Sequence, residues 1–185
     1  SWVSHSDGSE LAPINSLDVH PDGTRFATGG DDNRVKLWNM KPCLDKAAED
    51  DVANHPRLLA TLSGHLGSVA CVRWSPDGRF LASCSDDSFV MIWRRAAAGE
   101  RVRSSEFGAN VAPAVESWLN VATLRGHSRD VLGVAWAPDS RKLASVSIDN
   151  TVRVWDVLAT NAAAQLLASL EGHTNYVKGV SRDPV

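Results

Sequence analysis

The sequence predicts an all-β fold assembled from repeated four-stranded units, and three observations carry that prediction. The stretches PDGTRFATGGDDNRVKLW (21–38), PDGRFLASCSDDSFVMIW (76–93) and PDSRKLASVSIDNTVRVW (138–155) align without a gap. Gly-His pairs stand at matching distances ahead of the last two, so that His65 to Trp93 and His127 to Trp155 span the same 28 residues. Between the turn signals lie short apolar-rich or alternating runs of the β-forming type. Self-similarity of this kind marks a repeat architecture, in which each unit buries its faces against its neighbours.

Each element of the unit can be justified in order. VACVRW (69–74) and VLGVAW (131–136) read as first strands, closed by a Pro-Asp-Gly or Pro-Asp-Ser turn. RFLAS and RKLAS form second strands, ended by an Asp-Asp or Ile-Asp turn. FVMIW and TVRVW alternate in polarity and finish on a tryptophan. A further strand, in RLLATLSGH, WLNVATLRGH and QLLASLEGH, runs up to each Gly-His. Four strands with a Gly-His start and a Trp-Asp-like end are the signature of a WD-repeat β-propeller blade. Trp155-Asp156 supplies the dipeptide, and Trp38-Asn39 and Trp93-Arg94 depart only at its second position. The blades span about 11–63, 68–125 and 130–171, with an incomplete fourth at 175–185. Propellers close with about 4–8 blades, so the expectation is an open, partial ring, either cut from a longer protein or the product of an incomplete gene sequence. Arg182 falls where Trp74 and Trp136 stand in the other units.

The recurring polar residues read as structural hydrogen-bond clusters. In blades of this kind the Gly-His histidine, a second-strand Ser or Thr, the turn aspartate and the third-strand tryptophan link together. The sets are His65, Ser83, Asp87 and Trp93, then His127, Ser145, Asp149 and Trp155. The first blade offers Thr28, Asp32 and Trp38, with His5 as the candidate histidine. An imidazole donates at one nitrogen and accepts at the other, so it can bridge a carboxylate and a hydroxyl. A Ser, a His and an Asp also invite a nucleophilic triad. A triad needs one exposed nucleophile in one pocket, whereas these types recur once per blade, each with its tryptophan. No catalytic residue is therefore assigned. None of the 6 histidines has a partner at i, i+4, and there is no Cys-x-x-Cys, so neither a metal nor a cofactor is expected.

Composition sets outer limits. A chain that is 43% hydrophobic and 22% charged can build a core, and a formal charge of −3 does not suit coating nucleic acid by charge alone. No apolar run reaches the roughly 18 residues of a membrane span, and no N-terminal signal pattern appears. The 3 cysteines, Cys43, Cys71 and Cys84, suit a reducing compartment. Cys71 and Cys84 read as small core residues rather than ligands or disulfide partners.

Two insertions interrupt the repeat between third and fourth strands. Residues 41–56, KPCLDKAAEDDVANHP, are locally acidic, whereas residues 94–103 carry four arginines and one glutamate. Both leave the blades at the end opposite the Gly-His loops and crowd one rim. They read as solvated, mobile loops. The alternative reading is a partner-binding rim, with Arg94, Arg95, Arg101 and Arg103 meeting an acidic segment and Phe107 as an anchor. Direct DNA contact through 94–103 would be non-specific and salt-sensitive. At the other end, Leu66, Arg129, Asp130, Asn175 and Tyr176 follow the Gly-His pairs and ring the channel mouth. Of these, Arg129, Asp130 and Tyr176 are the candidate partner contacts.

Several stretches are less generic than WD repeats require. WVSH, HPDGTRFATGG, VKLWNMKP, CVRWSPDGRFLASCSDDSFVMIWRR, FGANVAPAVESW, ATLRGHSRDVLGVAW, LASVSIDNTVRVWD and GHTNYVKGVSRDPV follow one another in an order that resembles the N-terminal propeller of the HIRA-type histone chaperones. The resemblance spans essentially the whole chain. It implies a nuclear, non-enzymatic scaffold for replication-independent nucleosome assembly and transcriptional regulation, including corepression. Implied partners are ubinuclein-type subunits and, through the full-length protein, an anti-silencing-type chaperone and histones, with no small-molecule substrate. A close second resemblance is to the WD subunit of the replication-coupled chromatin assembly factor, which shares the Trp-led strand before Arg-Gly-His. A generic adaptor, such as a ubiquitin-ligase substrate receptor, often shows Asp-x-Arg after the third-strand tryptophan. Here Trp155-Asp156-Val157-Leu158 lacks the arginine and Trp93-Arg94-Arg95 lacks the aspartate.

Overall fold

The computed structural model describes residues 2–6, 10–100, 115–158 and 164–181. After a short ladder of β1 (His5–Ser6) with β2 (Leu11–Ala12), the chain forms three four-stranded antiparallel sheets. The first is β3 (Ile14–Val19), β4 (Arg25–Gly30), β5 (Arg34–Asn39) and β6 (Leu58–Ser63). The second is β7 (Val69–Trp74), β8 (Phe80–Ser85), β9 (Val90–Arg95) and β10 (Trp118–Leu124). The third is β11 (Val131–Trp136), β12 (Lys142–Ser147), β13 (Val152–Asp156) and β14 (Gln165–Leu170). In each sheet the strands pair in chain order, and β3, β7 and β11 lie side by side as the inner strands. This is a partial WD-repeat β-propeller.

The repeat in sequence is a repeat in backbone geometry. The residue ending each Pro-Asp-Gly or Pro-Asp-Ser turn has positive φ: Gly23 at 72°, Gly78 at 71° and Ser140 at 54°. The residue after each turn aspartate does too, with Asn33 at 61°, Ser88 at 70° and Asn150 at 67°. Every sheet also shifts register once between its first two strands and once between its last two. Bulges at fixed places strengthen the local twist, which lets each sheet splay like a blade.

Sheets bury their faces against one another. One apolar layer, including Leu37, Leu62, Val69, Leu81 and Trp93, fills the space between the first two sheets. A second, including Ile92, Leu124, Val134, Leu143 and Trp155, lies between the second and third. Each fully buried aliphatic side chain stabilises by roughly 1.5–3 kcal/mol relative to exposure. Leu62 and Leu124, three residues before a Gly-His histidine, are 5% and 3% exposed, whereas Leu170 at the same offset is 52% exposed. Polar seams reinforce the contacts: the Trp74 N–H donates to Asp18 Oδ2 at 2.7 Å, and the Trp136 indole donates to the Arg73 carbonyl at 2.9 Å.

Two expectations are corrected. Residues 41–56 are not simply a solvated loop: they contain α1 (Lys41–Leu44) and α2 (Lys46–Asp50), with Ala48 only 3% exposed. Asp45 caps α2 by accepting from the Ala47 N–H at 2.9 Å, and alanine-rich sequence favours the helix. The fourth blade's opening also differs, because residues 171–181 form no strand.

Gly29 fixes how closely the first two sheets approach. A Cβ there would lie 2.6 Å from Val69 Cγ1. Gly29→Ala is therefore expected to destabilise the protein by about 1–3 kcal/mol through overpacking, measured as a fall in the urea midpoint.

Candidate functional site

The second strand, third strand and Gly-His loop of each unit bring four side chains into one line. In the second sheet the Trp93 indole donates to Ser83 Oγ at 2.9 Å, Ser83 Oγ lies 2.8 Å from His65 Nε2, and His65 Nδ1 lies 2.8 Å from Asp87 Oδ2. In the third sheet the same steps join Trp155, Ser145, His127 and Asp149 at 2.9, 2.8 and 2.9 Å. In the first sheet they join Trp38, Thr28, His5 and Asp32 at 2.8, 2.7 and 2.6 Å. His5 comes from the segment before the first sheet and occupies the place that the Gly-His residue fills elsewhere.

Proton accounting gives each line a direction. An indole can only donate and a carboxylate can only accept, so the hydroxyl between them accepts the indole N–H and donates its own O–H to His Nε2. The histidine is then the Nδ1–H tautomer, donating to the aspartate. The aspartates also accept backbone N–H groups: Asp87 from Leu66 and Phe89, both at 2.9 Å, and Asp149 from Ser128 at 3.1 Å and Thr151 at 3.0 Å. Those bonds clamp the loop after the histidine onto the turn. The hydroxyls of Ser83, Ser145 and Thr28 belong to residues 0% exposed. With the proton committed and no solvent access, the line braces the loop and leaves no nucleophile to activate.

Burial lowers the pKa of His5 and His127 below the ordinary 6.5, outweighing the opposing hydrogen bond from each ring to Asp32 or Asp149. At neutral pH both rings are uncharged, so these contacts are N–H···O hydrogen bonds rather than ion pairs. Asp87 and Asp149 are held below 3.8 against burial, chiefly by the His65 hydrogen bond for Asp87 and by Thr151 and His127 for Asp149.

At the opposite end the predicted arginine rim is engaged within the molecule. The Arg94 guanidinium forks onto Glu100 at 2.8 and 2.7 Å. Arg95 lies 3.4 Å from Glu116, which also accepts from Arg25 Nη1 at 2.6 Å and from the Trp118 indole at 3.1 Å. Glu116 is 6% exposed, and its N–H donates to the Leu59 carbonyl at 2.9 Å. It ties the end of the second insertion to the first sheet. Sequence reasoning missed this role; a carboxylate next to a strand-opening tryptophan was its only local signal. Arg101, Arg103 and Phe107 lie outside the described residues.

The predicted channel-mouth residues occupy the Gly-His end. Leu66 and Tyr176 are 83% and 54% exposed, and Arg129 is exposed too. Asp130 is half-buried, with its carbonyl accepting from the Ile148 N–H at 3.1 Å. The rim arginines and the channel-mouth residues lie at opposite ends of the sheets and do not form one site. Among the described residues no three His, Cys, Asp or Glu side chains converge as a metal site, and no helix is long and apolar enough to cross a membrane.

Twisted blades braced by buried donor chains, with irregular loops at both ends, define a WD-repeat β-propeller whose variable chemistry is on its loops. The chain belongs to the CAF1B/HIR1 beta-propeller domain family, which matches residues 8–185. It is 45% identical over 189 residues to Protein HIR1 of Cryptococcus neoformans var. neoformans, covering 100% of this chain and 20% of that relative. It is 46% identical to Protein HIRA of Homo sapiens over 163 residues, covering 85% of this chain and 15% of the relative. Protein HIRA of Oryza sativa subsp. japonica gives 46% over 157 residues, with the same 85% and 15%. The chain thus spans a fifth or less of the curated relatives it matches.

Two outcomes follow. Ser83→Ala leaves a buried indole N–H without an acceptor and should cost about 1–3 kcal/mol, measured by chemical denaturation. The second concerns pH. A histidine whose folded pKa is depressed binds fewer protons folded than unfolded, so its contribution is complete above 6.5 and lost as pH falls through the folded value. The urea midpoint should therefore fall between pH 7 and pH 5, and fall again below 3.8 as the aspartates protonate.

Proposed function

We propose that this chain is the non-enzymatic docking part of a nuclear histone chaperone complex that assembles nucleosomes independently of replication and takes part in transcriptional repression. The observation that carries the reading is the family match across residues 8–185, together with HIR1 and HIRA relatives that align over most or all of the chain. The use of the Ser or Thr, His and Asp of all three sheets as internal bracing supports a scaffold over an enzyme. The family description also covers the replication-coupled assembly factor subunit, and the similarity to proteins named HIR1 and HIRA favours the replication-independent one.

On this reading, rigid sheets present loop side chains to a ubinuclein-type subunit, and the rest of the longer protein reaches the anti-silencing-type chaperone and histones. The candidate contacts at one end are Arg94, Arg95, Arg101, Arg103 and Phe107, and at the other Arg129, Asp130 and Tyr176. Among the described ones, 56% of the Arg95 side chain and 54% of Tyr176 are exposed, and Arg129 is exposed as well.

Capture of a ubinuclein-type fragment by the complete propeller tests this. Three proteins are compared: unaltered, deleted for 101–114, and carrying Arg129→Glu with Tyr176→Ala. The deletion spares β9 and the buried Glu116. A fall of at least tenfold in capture for either altered protein places the interface at that end. Failure of the unaltered propeller to capture the fragment would refute the reading.

A further inference from the structure

Cys71 and Cys84 stand directly opposite each other across the β7–β8 ladder, immediately after the register shift between Val69 and Cys71. Directly opposed residues in an antiparallel pair have Cα atoms about 4.5–5.5 Å apart, inside the roughly 4.4–6.8 Å that a disulfide spans. Both side chains lie in the apolar layer between the second and third sheets, Cys84 at 0% and Cys71 at 6% exposed. Sequence spacing alone suggested two unrelated core residues; their opposition exists only once the bulge sets the register.

The surroundings of the two sulfurs differ. The Cys84 thiol opposite, then the Val134 N–H of the neighbouring sheet, the Arg73 charge and Ser16, all favour the charged form of Cys71. These donors, the Cys84 thiol first, bring the Cys71 thiol down to about 6 against the effect of burial. Burial pushes Cys84 up. One sulfur is thus a ready nucleophile with slight exposure, and its opposite number is a protected thiol.

We infer that Cys71 and Cys84 form a peroxide-responsive dithiol, with Cys71 the sulfur oxidised first and Cys84 the one that resolves it. The Cys71 thiolate attacks hydrogen peroxide: an S–O bond forms, the O–O bond breaks, and hydroxide leaves to become water with a proton from solvent. Cys84 then loses its proton and attacks the Cys71 sulfur. The S–S bond forms, the S–O bond breaks, and a second water leaves. Two electrons pass from the sulfurs to one peroxide. In a reducing compartment thiols return the pair to its resting form, so the bond is transient. It would join the first and second strands of the middle blade on the face that meets its neighbour.

The test is peptide mapping without reductant after hydrogen peroxide treatment of the intact chain, in a Cys43→Ser background because Cys43 is exposed. The expected result is a cross-linked pair of peptides containing residues 71 and 84, dissolved by dithiothreitol. Cys84→Ser should abolish that link and leave Cys71 as a sulfenic acid captured by a cyclic 1,3-dione. Cross-link mapping on the unaltered pair does not depend on how well the Cys84→Ser variant folds. Oxidation of Cys71 with Cys84 untouched in the unaltered pair, or no oxidation of either, overturns the proposal.

Discussion

Everything in this molecule leans on a polar relay with a fixed sense, running from indole to hydroxyl to imidazole to carboxylate. Its ends have no freedom, since one can only give a proton and the other only receive. The two amphoteric members between them must therefore adopt one arrangement each. That singles out one tautomer of three buried histidines and one rotor of three buried hydroxyls, with an aspartate carboxylate as the final acceptor. It also explains why the aspartates can accept two backbone N–H groups in addition: the loop that follows each histidine and the turn that holds the aspartate become one piece. The same atoms that would suggest catalysis in isolation are spent on holding blades in shape.

Much of this could be read from the residues. Fixed offsets among His65, Ser83, Asp87 and Trp93, repeated in His127, Ser145, Asp149 and Trp155, determine which side chains meet, because strand register transmits sequence spacing into space. Strand order followed for the same reason. What lay beyond reach were interactions set by the approach of one sheet to another. Glu116 bonds to Arg25, 91 residues away in sequence, and no periodicity announces that. The helices in 41–56 were hidden because a reading tuned to a period of two passes over five helical residues capped by Asp45. The opposition of Cys71 and Cys84 depends on a bulge, which shifts pairing by one without leaving a mark in composition.

The two ends of the sheets differ in how firmly their charges are committed. Near the strand ends that carry the insertions, Arg25 and Arg95 converge on one carboxylate and Arg94 on another. A partner at that rim must compete with contacts already in place, so selectivity there comes from geometry more than from net charge. Around the Gly-His loops the side chains of the exposed Leu66, Arg129 and Tyr176 have no such ion pair to surrender among the described residues. Leu66 and the loop of Arg129 follow histidines whose turn aspartates clamp the next backbone N–H, which lowers the ordering cost of binding there.

Leu62, Leu124 and Leu170 hold equivalent posts yet meet different fates, two sheltered and one half in solvent. Shelter is therefore supplied by the successor in line and is not intrinsic to a blade. In an array built this way each sheet takes part of its resistance to opening from the contact with its neighbour. The middle blade, flanked on both faces, is accordingly the reference clock against which loosening of the others can be timed.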